Sequence, residues 1–307
     1  MLVGMLILST VSWVRAHSTQ IETNQVLDDA LNYLQANYND EVGLICESPD
    51  EEFKDTYWVY SDNFLASIVL HNYGQSDTLV RMAGDITSKM PNYLNQAGVC
   101  NPMNQYMVLR ESVFYFDNAQ PVILAKVGNA TVKTTMNNRI GDPLLPWNYS
   151  DVAFLQAVYY HELGNESGAM KSYLYGVNRS DGIGFKDDAF NDTHLYETYK
   201  LALYIYASTM LGQEDYNRPA FDQALGTLVD MQQHTSILDN GGFATYYDSN
   251  GTAKPGVNTE TTSLAVLAVM VTQQVSPIPE FGMTPLVIIG VLVTIALTRE
   301  AEMRKAH

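Results

Sequence analysis

The sequence predicts a mainly α fold, an array of antiparallel helical hairpins with a short β insertion, followed by one C-terminal transmembrane helix. Apolar side chains recur at helical spacing through most of residues 21–272. Residues 106–137 are instead rich in Val and Thr, which favour extended chain, so we expect a hairpin or small sheet there. Residues 283–298 are almost wholly apolar, as in a membrane-spanning helix.

Eight helices are predicted before the C-terminal apolar segment. An amphipathic stripe marks the first, and Pro219 suits the first turn of the seventh. The third is expected to end near Pro91 or shortly after it. The predicted helices cover residues 26–34, 64–70, 79–90, 152–163, 167–177, 196–211, 219–233 and 259–272.

The composition and net charge of the chain exclude one class of partner. The chain has 307 residues, of which 46% are hydrophobic, enough for a packed core. Its formal net charge is −17, which repels phosphate backbones and anionic lipid. We therefore expect no nucleic-acid partner.

The N-terminal residues 1–18 have the order of a secretory signal, an apolar stretch followed by small and polar residues from Ala16 onward. No Lys or Arg precedes the apolar stretch, so the alternatives are a mis-assigned start, an uncleaved anchor and a buried helix. Export predicts that residues 19–274 form an extracytoplasmic domain.

The C-terminal segment is flanked by charge on one side only. Arg299, Arg304 and Lys305 follow it within the tail, residues 299–307. By the positive-inside rule this tail is cytoplasmic, so the chain is predicted to be a single-pass membrane protein with its bulk outside. A core helix is the alternative, but the segment has no polar face.

Residues 275–282 form a linker that contains the run Pro-Ile-Pro-Glu-Phe-Gly from Pro277 onward. With the apolar segment and basic tail behind it, this run resembles the Pro-Glu-Phe type C-terminal sorting signal of archaeal surface proteins. The resemblance implies an address rather than an activity, and a membrane processing enzyme of the archaeosortase type as a partner. It leaves open whether the segment is retained or removed.

Two further features suit an exported domain. Cys46 and Cys100 could form a disulfide there, with two free thiols as the alternative. Several Asn-x-Ser/Thr triplets predict a glycosylated surface. The acceptors are Asn129, Asn148, Asn165, Asn178, Asn191 and Asn250.

A repeated motif places a carboxylate at the start of each inner helix. The run Trp-Val-Tyr-Ser-Asp at residues 58–62 is echoed by Trp-Asn-Tyr-Ser-Asp at residues 147–151, and two later helix starts carry Glu instead. Hairpins that stack in one orientation would bring these groups to one end. The candidate catalytic residues are Asp62, Asp151, Glu197 and Glu260.

This repeat resembles the α/α-toroid group, which includes glycoside hydrolases, polysaccharide lyases and terpenoid-cyclase-like proteins. The resemblance spans about residues 21–272 and implies an incomplete toroid, since the helices are too few for a closed barrel. It also implies chemistry at the helix starts.

Aromatic residues accompany the carboxylates, and sugar rings stack on aromatic faces, so the combination predicts a glycan-binding cleft. Helix capping alone is the alternative explanation of the carboxylates. Two functions remain, a glycan-binding or scaffold domain of the cell envelope, and a glycoside hydrolase or lyase. The predicted substrate-binding residues are Trp58, Tyr60, Trp147, Tyr149, Tyr196 and Tyr246.

We predict neither a metal site nor a cofactor. The acidic loop from Asp181 to Asp192 lacks the register of a calcium-binding loop. The chain also lacks the glycine-rich signatures of phosphate and dinucleotide sites.

Overall fold

The computed structural model describes residues 24–73, 76–100, 102, 120–136, 147–236 and 238–273, and the backbone of 114–115 and 143–144. The fold is mainly α, as the sequence predicts. The eight helices predicted between residues 26 and 272 are all present, and one short helix, α6, was not predicted. The helices are α1 (24–36), α2 (Asp62–Tyr73), α3 (Asp77–Ala97), α4 (Ser150–Glu162), α5 (Glu166–Val177), α6 (Asp188–Thr193), α7 (Thr198–Met210), α8 (Arg218–Asp230) and α9 (Thr259–Gln273).

The helices pack as hairpins of consecutive elements, α2 with α3, α4 with α5 and α7 with α8. In the α4–α5 hairpin, the rings of Tyr160 and Phe154 lie against Gly168 and Gly176 respectively. Later positions of α4 therefore meet earlier positions of α5. This order makes the two helices antiparallel.

Helices α4 and α7, which belong to different hairpins, run in the same direction. Tyr199 at the start of α7 bonds to Asp151 at the start of α4, and Tyr204 lies against Phe154 one turn further on, with ring centres 5.7 Å apart. Because equivalent positions meet, α4 and α7 are parallel and begin at the same end of the array.

Burial explains which helices lie inside. Along α9 every residue from Thr259 to Val271 except Glu260 is buried, as expected for a helix that lacks a polar face. In α3, buried positions such as Met82, Ile86 and Met90 recur at helical spacing among exposed ones. Helix α9 is therefore interior, whereas α3 has one face toward solvent.

Helix α3 extends further than the sequence predicts. It continues past Pro91 to Ala97, and Gly98 ends it with a left-handed φ of 68°. That φ favours glycine, so Gly98 rather than Pro91 is the stop.

The predicted β insertion is present around an antiparallel hairpin of β5 (Gln120–Val127) and β6 (Ala130–Met136). Strand β6 also pairs in parallel with β3, which leads into α2, so the insertion is attached beside that helix start. The other strands are β1 (Tyr38–Asn39), β2 (Leu44–Ile45), β3 (Thr56–Trp58), β4 (Phe114–Tyr115), β7 (Pro143–Leu144), β8 (Tyr196–Glu197) and β9 (Tyr246–Tyr247).

The predicted signal, residues 1–18, and the predicted transmembrane and tail segments, residues 283–307, lie outside the described residues. Among the residues that are described, no helix is both long and apolar enough to cross a bilayer.

Candidate functional site

The four predicted carboxylates all stand at helix starts. Asp62 is the first residue of α2, Asp151 and Glu260 are the second residues of α4 and α9, and Glu197 directly precedes α7. Free amide groups at a helix N-terminus favour such negative charge. Capping does not account for Glu197, however, because its side chain makes no capping hydrogen bond to α7.

Asp62 and Glu260 lie close enough for their charges to interact, and Glu47 adds a third negative charge. The loop before β3 holds the two helix starts together. Thr259 donates its N–H to the Glu47 carbonyl oxygen at 2.9 Å and its hydroxyl to the Cys46 carbonyl oxygen at 2.7 Å. The start of α9 is thus fixed beside that of α2.

Asp151 and Glu197 form a second group, joined by side chains of α7. The Tyr199 hydroxyl donates to Asp151 Oδ2 at 2.9 Å. Lys200 Nζ lies 2.5 Å from Glu197 Oε2 and carries a positive charge that also acts on Asp151. One ammonium group therefore lies among the carboxylates at the starts of α4 and α7.

Tyr246 connects the two groups. It lies directly opposite Glu197 in the β8–β9 pair, so the two side chains share a face of that ribbon. Burial, together with the negative charges of Glu197 and Glu260, raises the pKa of the Tyr246 hydroxyl. The structure therefore brings Asp62, Asp151, Glu197 and Glu260 to one end of the array, which we call the carboxylate end.

The carboxylate of Asp187 binds the ammonium group of Lys200. Lys200 Nζ lies 2.8 and 2.7 Å from the two Asp187 carboxylate oxygens. Ser150 donates its N–H and hydroxyl to Asp187 Oδ2 at 3.0 and 2.8 Å. Burial by itself would raise the pKa of Asp187, but Lys200 and Ser150 hold that pKa below its ordinary value.

The carboxyl groups differ in their electrostatic surroundings. Burial, reinforced by the charges of Glu260 and Glu47, raises the pKa of Asp62 well above its ordinary value of 3.8. Burial also raises the pKa of Glu197, although the positive charge of Lys200 opposes that rise. Asp62 is thus favoured in its neutral form, while Glu197 keeps a counter-ion.

Aromatic rings lie beside these groups. Trp58, Tyr149 and Tyr246 are partly exposed. The Trp58 indole N–H donates to the Glu47 carboxylate, and Lys133 Nζ lies 5.6 Å from the centre of the Trp58 ring. Trp58 and Tyr246 therefore combine an accessible surface with a neighbouring carboxylate.

Other predicted substrate-binding residues have different surroundings. Tyr196 is 1% exposed, because its ring stacks on Tyr247 at 5.2 Å and its hydroxyl donates to Asp181 at 2.6 Å. Tyr60 is also buried. Both rings belong to the core and offer no face to a ligand. Trp147 is exposed, and its ring packs edge-on against Tyr175.

The two cysteines are not paired, which corrects the predicted disulfide. Cys46 is buried, and its thiol donates to Asn37 Oδ1 at 3.7 Å in the core. Cys100 is exposed beyond the end of α3.

Five of the predicted glycosylation acceptors are exposed at turns or on helices, and Asn148 is partly exposed. Asn148 differs in a second way, since Ser150 of its triplet is fully buried by the bond to Asp187.

Sequence reasoning missed Lys200, Asp187 as its partner, and Glu47. A signal for Lys200 was present, because it is the single charged residue within α7, an otherwise apolar and interior helix. Asp187 and Glu47 lie in loops, where spacing predicts no partner. Among the described residues, no cluster of three or more His, Cys, Asp or Glu side chains has the geometry of a metal site.

No protein-family model, curated protein or solved structure matches the chain.

Proposed function

We propose that this protein is a membrane-anchored cell-surface domain that binds a glycan at its carboxylate end. The observation that carries the proposal is the presence of carboxylates from four helices beside the partly exposed rings of Trp58 and Tyr246. Aromatic faces stack on sugar rings, and carboxylate oxygens accept hydrogen bonds from sugar hydroxyls. Glu197 and Glu260 are partly exposed and accessible for such bonds.

The net charge of the carboxylate end indicates which class of glycan it would bind. Its negative groups outnumber the cations Lys200 and Lys133, so it disfavours acidic polysaccharides. This balance is less suited to the polysaccharide lyase alternative, since lyase chemistry removes a proton beside a uronate carboxyl group. Neutral or positively charged glycans suit the end better.

Three segments of the sequence support the proposed membrane anchor. Residues 1–18 would direct export, residues 283–298 would span the membrane, and residues 299–307 would remain in the cytoplasm. The Pro-Glu-Phe motif within residues 275–282 would be the recognition element for an archaeosortase-like processing enzyme. The hairpin array would form an incomplete α/α toroid around α9.

Binding is tested with the full chain in detergent and a panel of neutral, amino and acidic oligosaccharides. Trp58→Ala removes a stacking face, and Glu260→Gln removes a charged acceptor. Each change should weaken binding of the tightest ligand by about tenfold or more, because each group contributes about 1–3 kcal/mol. Asp215→Asn is the matched control, since that carboxylate is 94% exposed on the α7–α8 loop. If no glycan binds, a structural role in the envelope replaces the proposal.

Glycoside hydrolysis is the second candidate, and the contrast between Asp62 and Glu197 favours it. A glycosidase requires one neutral carboxyl group as proton donor and one charged carboxylate as base or nucleophile. Asp62 suits the first role and Glu197, beside Lys200, the second. Release of reducing ends should fall by at least about a hundredfold in Asp62→Asn and in Glu197→Gln. Unchanged turnover in both variants would exclude catalysis by these residues.

A further inference from the structure

Two aromatic rings form an exposed surface where the end of α5 meets the segment before α4. Trp147 is 47% exposed, and its ring packs edge-on against the partly exposed ring of Tyr175, with ring centres 6.0 Å apart. The guanidinium group of Arg179 donates to the carbonyl oxygen of Trp147, which holds the two segments together. We call these rings the Trp147–Tyr175 pair. Their exposure to water costs free energy unless something covers them.

A predicted glycosylation acceptor lies next to this pair. Asn178 is exposed and directly follows Val177, the last residue of α5. Its backbone keeps helical geometry, with φ −67° and ψ −10°, and its N–H bonds to the Leu174 carbonyl oxygen at 3.0 Å. Residues three apart on a helix share a face, and helical side chains lean toward the N-terminus. The Asn178 side chain therefore leans toward the turn that carries Tyr175.

The triplet that begins at Asn178 is accessible for modification. Both Asn178 and Ser180 are exposed. The triplet at Asn148 also adjoins Trp147, but the hydroxyl of its Ser150 is buried in a hydrogen bond. Of the two acceptors near Trp147, Asn178 is therefore the one from which a glycan would reach the rings.

We propose that the glycan attached to Asn178 packs on the Trp147–Tyr175 pair and covers it. This inference goes beyond ligand binding at the carboxylate end and rests only on the predicted export and glycosylation of the chain. Attachment joins Nδ2 of Asn178 to C1 of the first sugar, while the lipid phosphate that carried the sugar leaves with one amide proton.

The chemistry of the pair suits a sugar. The apolar face of a sugar ring stacks on an aromatic ring. Lys171 Nζ lies 6.0 Å from the centre of the Tyr175 ring and is a donor for sugar hydroxyl groups. In this arrangement Trp147 contacts the glycan of its own chain, which differs from the substrate-binding role that the sequence predicts for it.

A second acceptor provides the matched comparison. Asn250 is exposed and, like Asn178, follows a tyrosine by three residues. That tyrosine, Tyr247, is fully buried and stacks on Tyr196, with ring centres 5.2 Å apart. A glycan on Asn250 finds no exposed ring at that position. We therefore expect a stabilising contact at Asn178 and none at Asn250.

The stability of the full chain in detergent tests this contact, with protein produced in its native cells and in a host that does not glycosylate it. Mass spectrometry first shows whether Asn178 carries a glycan. In the native protein, Asn178→Gln should raise the unfolding equilibrium constant about threefold to tenfold, the effect of one stacked ring pair. Asn250→Gln should leave that constant unchanged, and neither substitution should alter it in the unglycosylated protein.

Oxidative footprinting gives a second measurement that leaves both rings in place. Trp147 should be oxidised several times more slowly in the glycosylated chain than in Asn178→Gln, because the glycan covers its ring. Tyr216, which is 59% exposed, is the control and should be oxidised equally in both proteins.

Three results would each overturn the proposal. They are an unmodified Asn178, an unfolding equilibrium that Asn178→Gln leaves unchanged, and equal oxidation of Trp147 with and without the glycan. None of these results bears on ligand binding at the carboxylate end, which the oligosaccharide panel tests separately.

Discussion

The ammonium group of Lys200 lies 2.7 Å from Oδ2 of Asp187, and neither side chain is more than 2% exposed. The same carboxylate accepts two hydrogen bonds from Ser150. Asp187 therefore joins the start of α4 to the first turn of α7. The ion pair that neutralises one half of the carboxylate end is also a connection between two of its helices.

Removal of this buried cation should destabilise the fold. In Lys200→Met the carboxylates of Asp187 and Glu197 lose their counter-ion, so we expect the free energy of unfolding to fall by about 3–5 kcal/mol. Lys186→Met is the control, because its pair with Asp181 is half exposed and screened by solvent, so its loss should change the stability much less. Denaturant unfolding of both variants measures the difference. Similar losses would contradict a special role for Lys200.

Asp62 should make stability depend on pH. Its folded pKa lies well above the unfolded value of about 3.8, because of burial and the charges of Glu260 and Glu47. The stability that it contributes is therefore fully present below about pH 3.8 and is lost as the pH rises toward the folded pKa.

Asp62→Asn removes this titration. The variant should equal the unmodified chain near pH 4 and exceed it in unfolding free energy at pH 7, as measured by denaturant titration across that range. A variant that is less stable at every pH would show that the carboxyl group makes a structural bond that the amide cannot replace.

Two helical glycines should respond in opposite directions to alanine. A Cβ atom at Gly176 in α5 would lie 2.5 Å from the Phe154 ring, which is held among Tyr173, Phe185 and Tyr204. Gly176→Ala should therefore cost about 1–3 kcal/mol. A Cβ atom at Gly226 in α8 would meet nothing within 4 Å, so Gly226→Ala should stabilise by about 0.5–1 kcal/mol through helix propensity. Equal effects in thermal unfolding would mean that the α4–α5 packing is looser than described.

Glycan occupancy should differ among the Asn-x-Ser/Thr triplets if modification follows folding. The Ser150 hydroxyl is buried and bonded to Asp187, so the triplet at Asn148 is not accessible to an enzyme that reads all three residues. Mass spectrometry of the protein from its native membrane should find Asn148 the least modified and exposed sites such as Asn250 modified. Full occupancy at Asn148 would show that the glycan is added before α4 docks.

Membrane topology can be tested on intact cells. Protease treatment should remove epitopes within residues 19–274 and leave an epitope in the tail, residues 299–307, protected. The order of the predicted segments provides the reason, since the basic residues lie after the apolar segment. If the tail is digested and the domain survives, the orientation is the opposite of the predicted one.

Local patterns predicted much of this fold. Helical spacing gave the existence and approximate bounds of the helices, because an apolar stripe is the condition for packing. The Val- and Thr-rich stretch likewise predicted the β5–β6 hairpin. The end of α3 differs from the predicted one, because the buried residues Tyr93 and Leu94 continue the helical pattern beyond Pro91. Helical spacing also missed α6, which is too short to show a period.

The sequence alone determined that a carboxylate begins each inner helix, since that placement is a property of neighbouring residues and of the helix terminus they form. Only the tertiary structure decided which charges meet. Asp187 pairs with Lys200, the charge of Glu260 acts on Asp62, Tyr196 stacks on Tyr247, and Cys46 and Cys100 remain separate. Those outcomes depend on the parallel approach of α4 and α7 and on loops that carry no period. The electrostatic energy of a charged group is set by the distances to other charges and by its burial, and neither quantity exists before the chain is folded.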